Sequence, residues 1–348
     1  MKKIFVPFII SLLIVVGCSE KNTSTKAKDD TIGENIMPTV SMWLPEWQFK
    51  PAISEVKTSI VGLENIHVFG AYFNEDDQMF LTDSAIKLME ESKQQFSATN
   101  TIILTIVNDY VVAGSPSVQK DSKLLHRLLG SSQARQKHIE NIIDLVDNYQ
   151  VDGIEIDYEK IAKEDLGNYV LFLEELYQQL LKKNASLHVV LVPSFPFEIS
   201  LPDGPKYTVM AYNVHGYHSG PGAKATFSFL DELIRNIGKS NQKFAVAFAT
   251  GGFSWGENGK VVALTEIEAA EVLASAEVIS KRDSASGALY FYYLDKNNQK
   301  NEVWYADTKT LQTWVNYAND QNIDEIILWR AGGLSSDTLN WIKKNEKK

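Results

Sequence analysis

The sequence has 348 residues, 44% hydrophobic and 22% charged, and is long enough to bury the core of one large domain. Its formal net charge of −10 argues against nucleic-acid binding and provides no electrostatic attraction to anionic membranes or polymers. Because Cys18 is the single cysteine, the chain forms no intrachain disulfide.

The N-terminus has the pattern of a targeting segment. Two lysines precede an apolar stretch over residues 4–16, and the run Val15-Val16-Gly17-Cys18 resembles a bacterial lipobox, in which a lipid is attached to the cysteine after cleavage. We predict a lipoprotein signal peptide over residues 1–17 and a flexible polar tether over residues 18–38. The protein is then lipid-anchored in the cell envelope, on the extracytoplasmic side of a bacterial membrane. An ordinary signal peptide or an anchor helix is the alternative.

Beyond the tether, apolar and β-branched runs alternate with segments of helical periodicity. Eight of these runs are predicted strands. They cover residues 40–43, 67–73, 101–107, 151–159, 189–192, 207–212, 244–249 and 326–329. This alternation predicts an α/β protein whose strands form a parallel (β/α)8 TIM barrel over residues 39–345. A doubly wound open sheet is the alternative.

The interval between the seventh and eighth predicted strands is too long for a plain crossover. It contains a glycine-rich turn, a helical segment and two strand-like runs on either side of Asn297-Asn298, the signature of a hairpin. We therefore predict a small α+β insertion between strands seven and eight, over residues 253–320 or so.

The fourth predicted strand is unusually acidic. Alternation along a strand puts Glu155, Asp157 and Glu159 on one face and apolar side chains on the other. Such a row of carboxylates repels itself, and each buried charge is costly unless it is paired or protonated. One of these carboxyl groups should hold a proton near neutral pH, ready to donate. The alternative is an exposed edge strand with a solvated acidic face.

Together with Asp152, these acids resemble the signature Asp-x-x-Asp-x-Asp-x-Glu of glycoside hydrolase family 18, with Glu155 in place of the second Asp. The resemblance implies a (β/α)8 barrel with Glu159 as proton donor at the end of the fourth strand. It implies that Asp157 orients the acetamido N–H of the substrate and that Glu155 modulates Asp157. The substrate's own acetamido carbonyl is then the nucleophile, the configuration is retained, and no metal or organic cofactor is implied.

Two further segments carry the resemblance. The run Met210-Ala211-Tyr212-Asn213 is similar to the family's Met-x-Tyr-Asp motif, whose Tyr holds the acetamido oxygen, and Trp329 takes the place of the Trp beneath the reacting sugar. A core Tyr and a core Trp are the alternatives. The predicted catalytic residues are Glu159, Asp157 and Tyr212. The predicted substrate-binding residues are Glu155, Met210, Asn213, Trp329, Asn108 and Trp43.

The resemblance implies hydrolysis of β-linked N-acetylglucosamine glycans. The third strand ends in Asn108-Asp109 rather than the chitinase pattern, and looser motifs over residues 43–47 and 303–307 resemble the spore-cortex and cell-wall branch. Peptidoglycan or a related cell-surface glycan is therefore the expected substrate. A chitinase, an endo-β-N-acetylglucosaminidase acting on N-glycans and a non-catalytic sugar-binding lipoprotein are the alternatives. The expected partners are the glycan and the membrane, and the expected state is a monomer.

Two histidines three residues apart, His215 and His218, raise the question of a metal site. A zinc site needs three or four ligands, and the sequence pattern offers no third. We interpret this segment as a polar loop.

Overall fold

The computed structural model describes residues 37–111 and 117–345. Cys18, the predicted signal peptide and nearly all of the predicted tether lie outside this part of the chain. Within it, no helix combines the length and the apolar character needed to cross a bilayer.

The described chain folds around a closed barrel of eight parallel strands. These are β1 (Thr39–Pro45), β2 (Leu63–Phe73), β4 (Thr101–Tyr110), β5 (Gly153–Asp157), β6 (Ser186–Leu191), β7 (Lys206–Met210), β8 (Phe244–Ala249) and β14 (Glu325–Trp329). The order around the barrel is β1-β14-β8-β7-β6-β5-β4-β2, and pairing of β1 with β2 closes it. A short strand, β3 (Met79–Leu81), pairs antiparallel with β2 outside the ring. Closure confirms the predicted barrel and excludes the open sheet.

Alternation along the strands divides the side chains between two cores. On β5, the side chains of Ile154 and Ile156 belong to the large apolar cluster between the strands and the outer helices. Glu155, between them, points the other way and is completely buried inside the barrel. A second, smaller cluster near the carboxyl ends of the strands includes Trp43 and Tyr212. The barrel interior at this level is therefore a mixture of aromatic rings and carboxylates.

Most of the helices cover the outside of the barrel. They are α1 (Phe49–Ser59), α2 (Asp83–Phe96), α3 (Ser122–Leu129), α4 (Ser132–Tyr149), α5 (Leu166–Lys182), α6 (Phe227–Ile237), α7 (Glu266–Ala276), α8 (Thr308–Asn319) and α9 (Ser336–Lys343), with short 3-10 turns at Glu46–Gln48, Ile60–Gly62 and Lys163–Asp165. Seven of them begin at a Ser, Thr or Asp whose side chain accepts a hydrogen bond from a backbone N–H of the first turn. These caps fix where the strand-to-helix connections end, and those connections form the mouth of the barrel.

The predicted insertion between the seventh and eighth barrel strands is confirmed. It is an antiparallel sheet, in the order β10-β9-β13-β12-β11, with α7 packed on one face. Its strands are β9 (Gly251–Gly256), β10 (Val261–Leu264), β11 (Lys281–Arg282), β12 (Leu289–Leu294) and β13 (Lys300–Ala306). The hairpin expected at Asn297-Asn298 joins β12 to β13. Because Trp314 of α8 packs on Phe248 of β8, α8 belongs to the barrel, and the inserted sheet ends before residue 320.

A buried carboxylate fastens the insertion to the barrel. Glu266, in the first turn of α7, accepts hydrogen bonds from Ser335 N at 3.0 Å, Ser335 Oγ at 2.7 Å and Thr338 Oγ1 at 3.0 Å. These donors cap and begin α9, so one side chain of the insertion satisfies polar groups at the end of the barrel. A buried carboxylate with several donors is held in one position.

Replacing Glu266 with alanine is expected to lower the free energy of unfolding by roughly 2–3 kcal/mol, because the buried donors of α9 lose their acceptor. The measurement is denaturant unfolding of the purified protein. Glu271→Ala, at an exposed position on the same helix, is the matched control and should change stability by less than about 0.5 kcal/mol. Equal effects of the two substitutions would contradict this role of Glu266.

Candidate active site

The predicted site residues meet at the carboxyl ends of the barrel strands. Asp157 is the last residue of β5, and Glu159 follows it by two positions. Tyr212 lies just beyond β7, and Trp329 ends β14. In parallel barrels this end carries the active site, because the loops that leave it surround a common mouth.

Glu155 is a buried carboxylate that contacts three other strands inside the barrel. Its Oε1 accepts hydrogen bonds from Trp43 Nε1 at 2.5 Å and from Thr105 Oγ1 at 2.8 Å, while its Oε2 lies 2.9 Å from His67 Nδ1. These partners come from three other strands, β1, β4 and β2. The side chain of Glu is one methylene longer than that of the family's Asp, and the structure uses it to contact all three. Glu155 is completely buried, so it acts through its charge and its contacts inside the barrel.

Asp157 is the carboxyl group that holds a proton. Burial, together with the charges of Glu155 and Asp109, raises the pKa of Asp157 to about 7, against the opposing effect of Lys120. The pattern of the sequence predicted one such protonated carboxyl near neutral pH. Its Oδ1 is buried and has no hydrogen-bond partner among the described residues. Asp157 therefore has hydrogen-bonding capacity free for a molecule bound in the mouth.

Glu159 is held by two contacts that the sequence did not reveal. Its backbone N–H donates to Asn108 Oδ1 at 2.9 Å, and its carbonyl accepts from Asn108 Nδ2 at 3.0 Å. Its carboxylate forms an ion pair with Lys120, which lies on the segment before α3. Burial lowers the pKa of Lys120, whereas the nearby Asp157 and Asp109 raise it. The ammonium group of Lys120 thus lies among the site's carboxylates.

Tyr212 supplies a neutral hydroxyl. Burial raises the pKa of its phenol well above the usual value of 10, and the charges of Asp157 and Glu155 add to this effect. The hydroxyl therefore keeps its proton at any physiological pH. It is suited to donate a hydrogen bond to an uncharged acceptor such as an amide carbonyl.

Aromatic rings form an apolar surface beside these groups. The half-buried ring of Trp329 meets the rings of Phe69, Trp43 and Trp47 edge-on, with centres 5.0, 5.8 and 6.3 Å away. Trp47 is 51% exposed, so this cluster reaches from the barrel interior to solvent. Such a surface suits the apolar face of a sugar ring.

Three of the predicted substrate-binding residues are buried in the structure. Asn108, Trp43 and Met210 are all buried, at 0%, 2% and 3% exposure. The side-chain amide of Asn108 hydrogen-bonds to the backbone of Glu159, and the indole N–H of Trp43 donates to Glu155. Asn108 and Trp43 thus support Glu159 and Glu155, and contact of these two residues and of Met210 with substrate stays a prediction. Strand alternation placed them near the mouth, but could not tell which neighbours they would meet.

The other predicted substrate-binding residues differ in their exposure to solvent. Glu155, predicted to bind substrate, is buried, and Asp157 lies beyond it on the same strand. Asn213 is exposed and adopts a left-handed backbone conformation with φ 69°, which Asn tolerates better than most residues. Trp329 remains available at the mouth.

One set of described side chains offers metal-ligand atoms in a group, and it lies inside the barrel. Ligand atoms of His67, Glu155 and His188 lie within 4.8 Å of one another. Two imidazoles and a carboxylate form a donor set that zinc accepts. The histidines singled out in the sequence are elsewhere: His215 contacts the carbonyl of Gly220 within its own loop.

A family model described as "Glycosyl hydrolases family 18" matches residues 52–333. The chain belongs to this family. It is accordingly a glycoside hydrolase, as the resemblance of the acidic strand predicted.

Curated relatives are distant. The chain is 25% identical over 246 residues to an uncharacterized glycosylase, YvbX, of Bacillus subtilis, an alignment that covers 65% of this chain and 71% of that protein. It is 24% identical over 256 residues to a cortical fragment-lytic enzyme of Bacillus anthracis, covering 67% of this chain and 57% of the relative. The chain therefore spans little more than half of the latter protein.

Solved structures share the fold. The spore cortex-lytic enzyme SleL of Bacillus cereus superposes with a TM-score of 0.78 at 19% identity, covering 89% of this chain and 76% of that one. A chitinase from Chromobacterium violaceum superposes with a TM-score of 0.74 at 12% identity, covering 89% of this chain and 99% of that one. At these identities the likeness establishes the fold alone.

The raised pKa of Asp157 predicts a pH-dependent loss of stability. The unfolded carboxyl ionises near its ordinary value of 3.8 and the folded one near 7, so between these values the folded state binds an extra proton. The corresponding stabilisation is lost as pH rises through 7. Relative to the wild type, Asp157→Asn should therefore gain roughly 2–3 kcal/mol of unfolding free energy between pH 5 and pH 8.

Denaturant unfolding of both proteins at the two pH values measures this difference. Asp144→Asn, at an exposed position on α4, is the control and should show no such gain. A difference between Asp157→Asn and wild type that stays constant with pH would show that Asp157 is not the titrating group.

Proposed function

We propose that the chain hydrolyses β-linked N-acetylglucosamine glycans with retention of configuration, using the substrate's own 2-acetamido group as nucleophile. The observation that carries this proposal is the pair at the end of β5: Asp157, with a pKa of about 7 and a free buried oxygen, followed closely by Glu159. Tyr212 adds a neutral donor from β7, and Trp329 adds an aromatic surface.

The proposed proton path begins on Asp157. In the free protein Asp157 is protonated near neutral pH, whereas the carboxylate of Glu159 is paired with Lys120. A sugar entering the mouth displaces Lys120, and the proton passes from Asp157 to Glu159. Glu159 then donates it to the glycosidic oxygen as that bond breaks. The ionised Asp157 accepts the acetamido N–H and stabilises the positive charge that develops on the substrate.

The second half of the reaction returns the enzyme to its starting state. The acetamido carbonyl oxygen, held by Tyr212, bonds to the anomeric carbon and forms a cyclic oxazolinium intermediate. Glu159, now a carboxylate, removes a proton from water as the water attacks the same carbon and the bond from that carbon to the acetamido oxygen breaks. The proton then passes from Glu159 back to Asp157. Two successive displacements give net retention, and no carboxylate of the protein bonds to the sugar.

Glu159→Gln is expected to reduce turnover about 10²–10⁴-fold, because Gln has nearly the same shape and no proton to donate as an acid. Reducing-end release from N-acetylglucosamine oligosaccharides measures the loss, and calorimetry should show that the variant still binds them. Glu164→Gln, at an exposed position beyond β5, is the matched control and should retain full activity. Near wild-type turnover in Glu159→Gln would remove this residue from the mechanism and favour another donor.

We infer that the natural glycan is peptidoglycan or a related cell-surface polymer. Three observations support this inference: relatives named as cortical fragment-lytic enzymes, the run Asn108-Asp109 in place of the chitinase pattern, and the lipobox-like ending at Cys18. A lipid anchor at Cys18, which we also propose, would keep the enzyme beside the cell wall. Chitin and N-glycans are the rival substrates.

Specific activity on peptidoglycan strands, chito-oligosaccharides and a high-mannose glycoprotein, under one set of conditions, tests this choice. We expect the highest activity on peptidoglycan strands, because an anchored enzyme is confined to the wall. Matched glycosides without the 2-acetamido group should not be cleaved, since they lack the internal nucleophile. A preference for either rival substrate would overturn the choice of glycan and leave the catalytic assignment in place.

A further inference from the structure

Two cations at the mouth of the barrel have no role in the mechanism described above. Arg330 follows Trp329 at the end of β14, and Lys224 lies on the connection between β7 and α6. The Arg330 guanidinium lies 5.9 Å from the centre of the Trp47 ring, so it borders the aromatic surface of the mouth. The Lys224 ammonium lies 5.2 Å from the ring centre of Phe253, where the insertion begins.

Neither cation has a carboxylate within ion-pair distance among the described residues. Lys224 Nζ donates to the carbonyl of Thr250 at 2.7 Å, and Arg330 Nη1 donates to the carbonyl of Ala331 at 3.3 Å. Among residues 37–111 and 117–345, no ion pair includes either side chain. A largely buried charge without an opposite charge is costly, and the cost is greater for two cations placed together.

The two acids whose charges attract Arg330, Glu268 and Glu55, both accept hydrogen bonds from backbone N–H groups. Glu55 accepts hydrogen bonds from the backbone N–H groups of residues 332, 333 and 334, at 2.6, 2.6 and 3.0 Å. Glu268 accepts from the backbone N–H of Thr265 and completes the cap of α7. In a protein of net charge −10, a partner for Arg330 could easily have been supplied by the chain. Among the described residues, no ion pair includes Arg330.

Thr250 connects the ammonium of Lys224 to the backbone of Arg330. Thr250 N donates to Trp329 O at 2.6 Å, and Arg330 N donates to Thr250 Oγ1 at 3.1 Å, while Lys224 binds the Thr250 carbonyl. Burial, and then the charge of Arg330, lowers the pKa of Lys224 to about 7. The two positive charges therefore repel one another, and an anion bound between them would stabilise both.

Their place in the barrel separates them from the catalytic acids. Arg330 directly follows β14, and the Lys224 ammonium donates to the carbonyl of the residue directly after β8. Asp157, Glu159 and Asp109 lie at the ends of β5 and β4. The strand order puts these two pairs of strands on opposite sides of the ring. A glycan crossing the mouth thus meets acids on one wall and cations on the other.

We propose that Arg330 and Lys224 form a subsite for a carboxylate carried by the glycan, next to the sugar surface of Trp329 and Trp47. The ligand class is a 2-acetamido sugar bearing a carboxylate, either on the sugar itself or on a peptide attached to it. This inference rests on the proposed function and sharpens it, because neutral chitin carries no such group. It makes the two cations determinants of specificity, with Arg330 as the main one since its planar fork binds carboxylates through two hydrogen bonds.

The test compares Arg330→Gln with wild type on two substrates: peptidoglycan strands stripped of peptide, and chito-oligosaccharides. A charge-assisted hydrogen bond corresponds to roughly a 10–100-fold effect, so kcat/KM on the acidic strands should fall by about that factor, mainly through KM. The fall on the neutral oligosaccharides should be at least about tenfold smaller. Arg330→Lys should restore part of the preference, and Arg235→Gln, at an exposed position on α6, should leave it unchanged.

Two further arms locate the carboxylate and guard against misfolding. If strands with peptides, but not stripped strands, depend on Arg330, the anion lies on the peptide. If Arg330→Gln unfolds at a lower temperature than the wild type, Lys224→Gln provides the same comparison from the other cation. Equal losses on neutral oligosaccharides and on both kinds of acidic strand, or no loss on any of the three, would overturn the subsite.

A binding measurement separates this inference from the proposed reaction. In the Glu159→Gln background, calorimetry with acidic and neutral oligosaccharides reports the subsite without catalysis. If the wild type hydrolyses neither substrate but binds the acidic one through Arg330, the reaction proposal fails and the subsite stands. If hydrolysis occurs and the acidic substrate gains nothing from Arg330, the subsite fails alone.

Discussion

The buried carboxylate of Glu155 is the constraint on which the active site depends. Its contacts with Trp43, Thr105 and His67 connect β5 to three other strands inside the barrel. Because this charge is enclosed by protein, it is screened little and acts strongly on its neighbours. It helps to raise the pKa of Asp157 and so favours a proton on that carboxyl near neutral pH. The longer arm of Glu is what makes these contacts possible.

Local electrostatics matter more than net charge for the acidic glycan proposed above. The value of −10 argues against binding any acidic polymer when taken over the whole chain. The strand order, however, puts Arg330 and Lys224 on one side of the mouth and the catalytic acids on the other. Over the width of one sugar, the nearest charges outweigh distant ones because salt screens the latter. An overall acidic enzyme is therefore compatible with an acidic substrate.

The sequence predicted those features that depend on local pattern. Strand alternation and helical periodicity gave the barrel and its insertion, and the acidic run placed Asp157 and Glu159 at the mouth. The sequence could not predict contacts between strands, because these contacts depend on barrel closure and register. Lys120 is an example, since it is far from Glu159 in sequence and pairs with it only in the folded chain. Asn108 was predicted at the right strand end, but its side chain turns inward to hold a backbone.

Three buried carboxylates in this fold show how environment separates support from chemistry. Glu55 and Glu266 are each surrounded by hydrogen-bond donors of the chain, so their oxygens are satisfied and hold loops in place. Asp157 has a buried oxygen for which the described residues provide no donor, and it lies at the open end of the barrel. Burying a polar atom without a partner costs free energy that the rest of the fold must offset. A ligand that supplies the missing hydrogen bond recovers that free energy on binding, and the amide N–H of a 2-acetamido sugar is such a donor. Of these three carboxylates, Asp157 is the one with an oxygen that lacks a donor among the described residues, and this supports the substrate class proposed above.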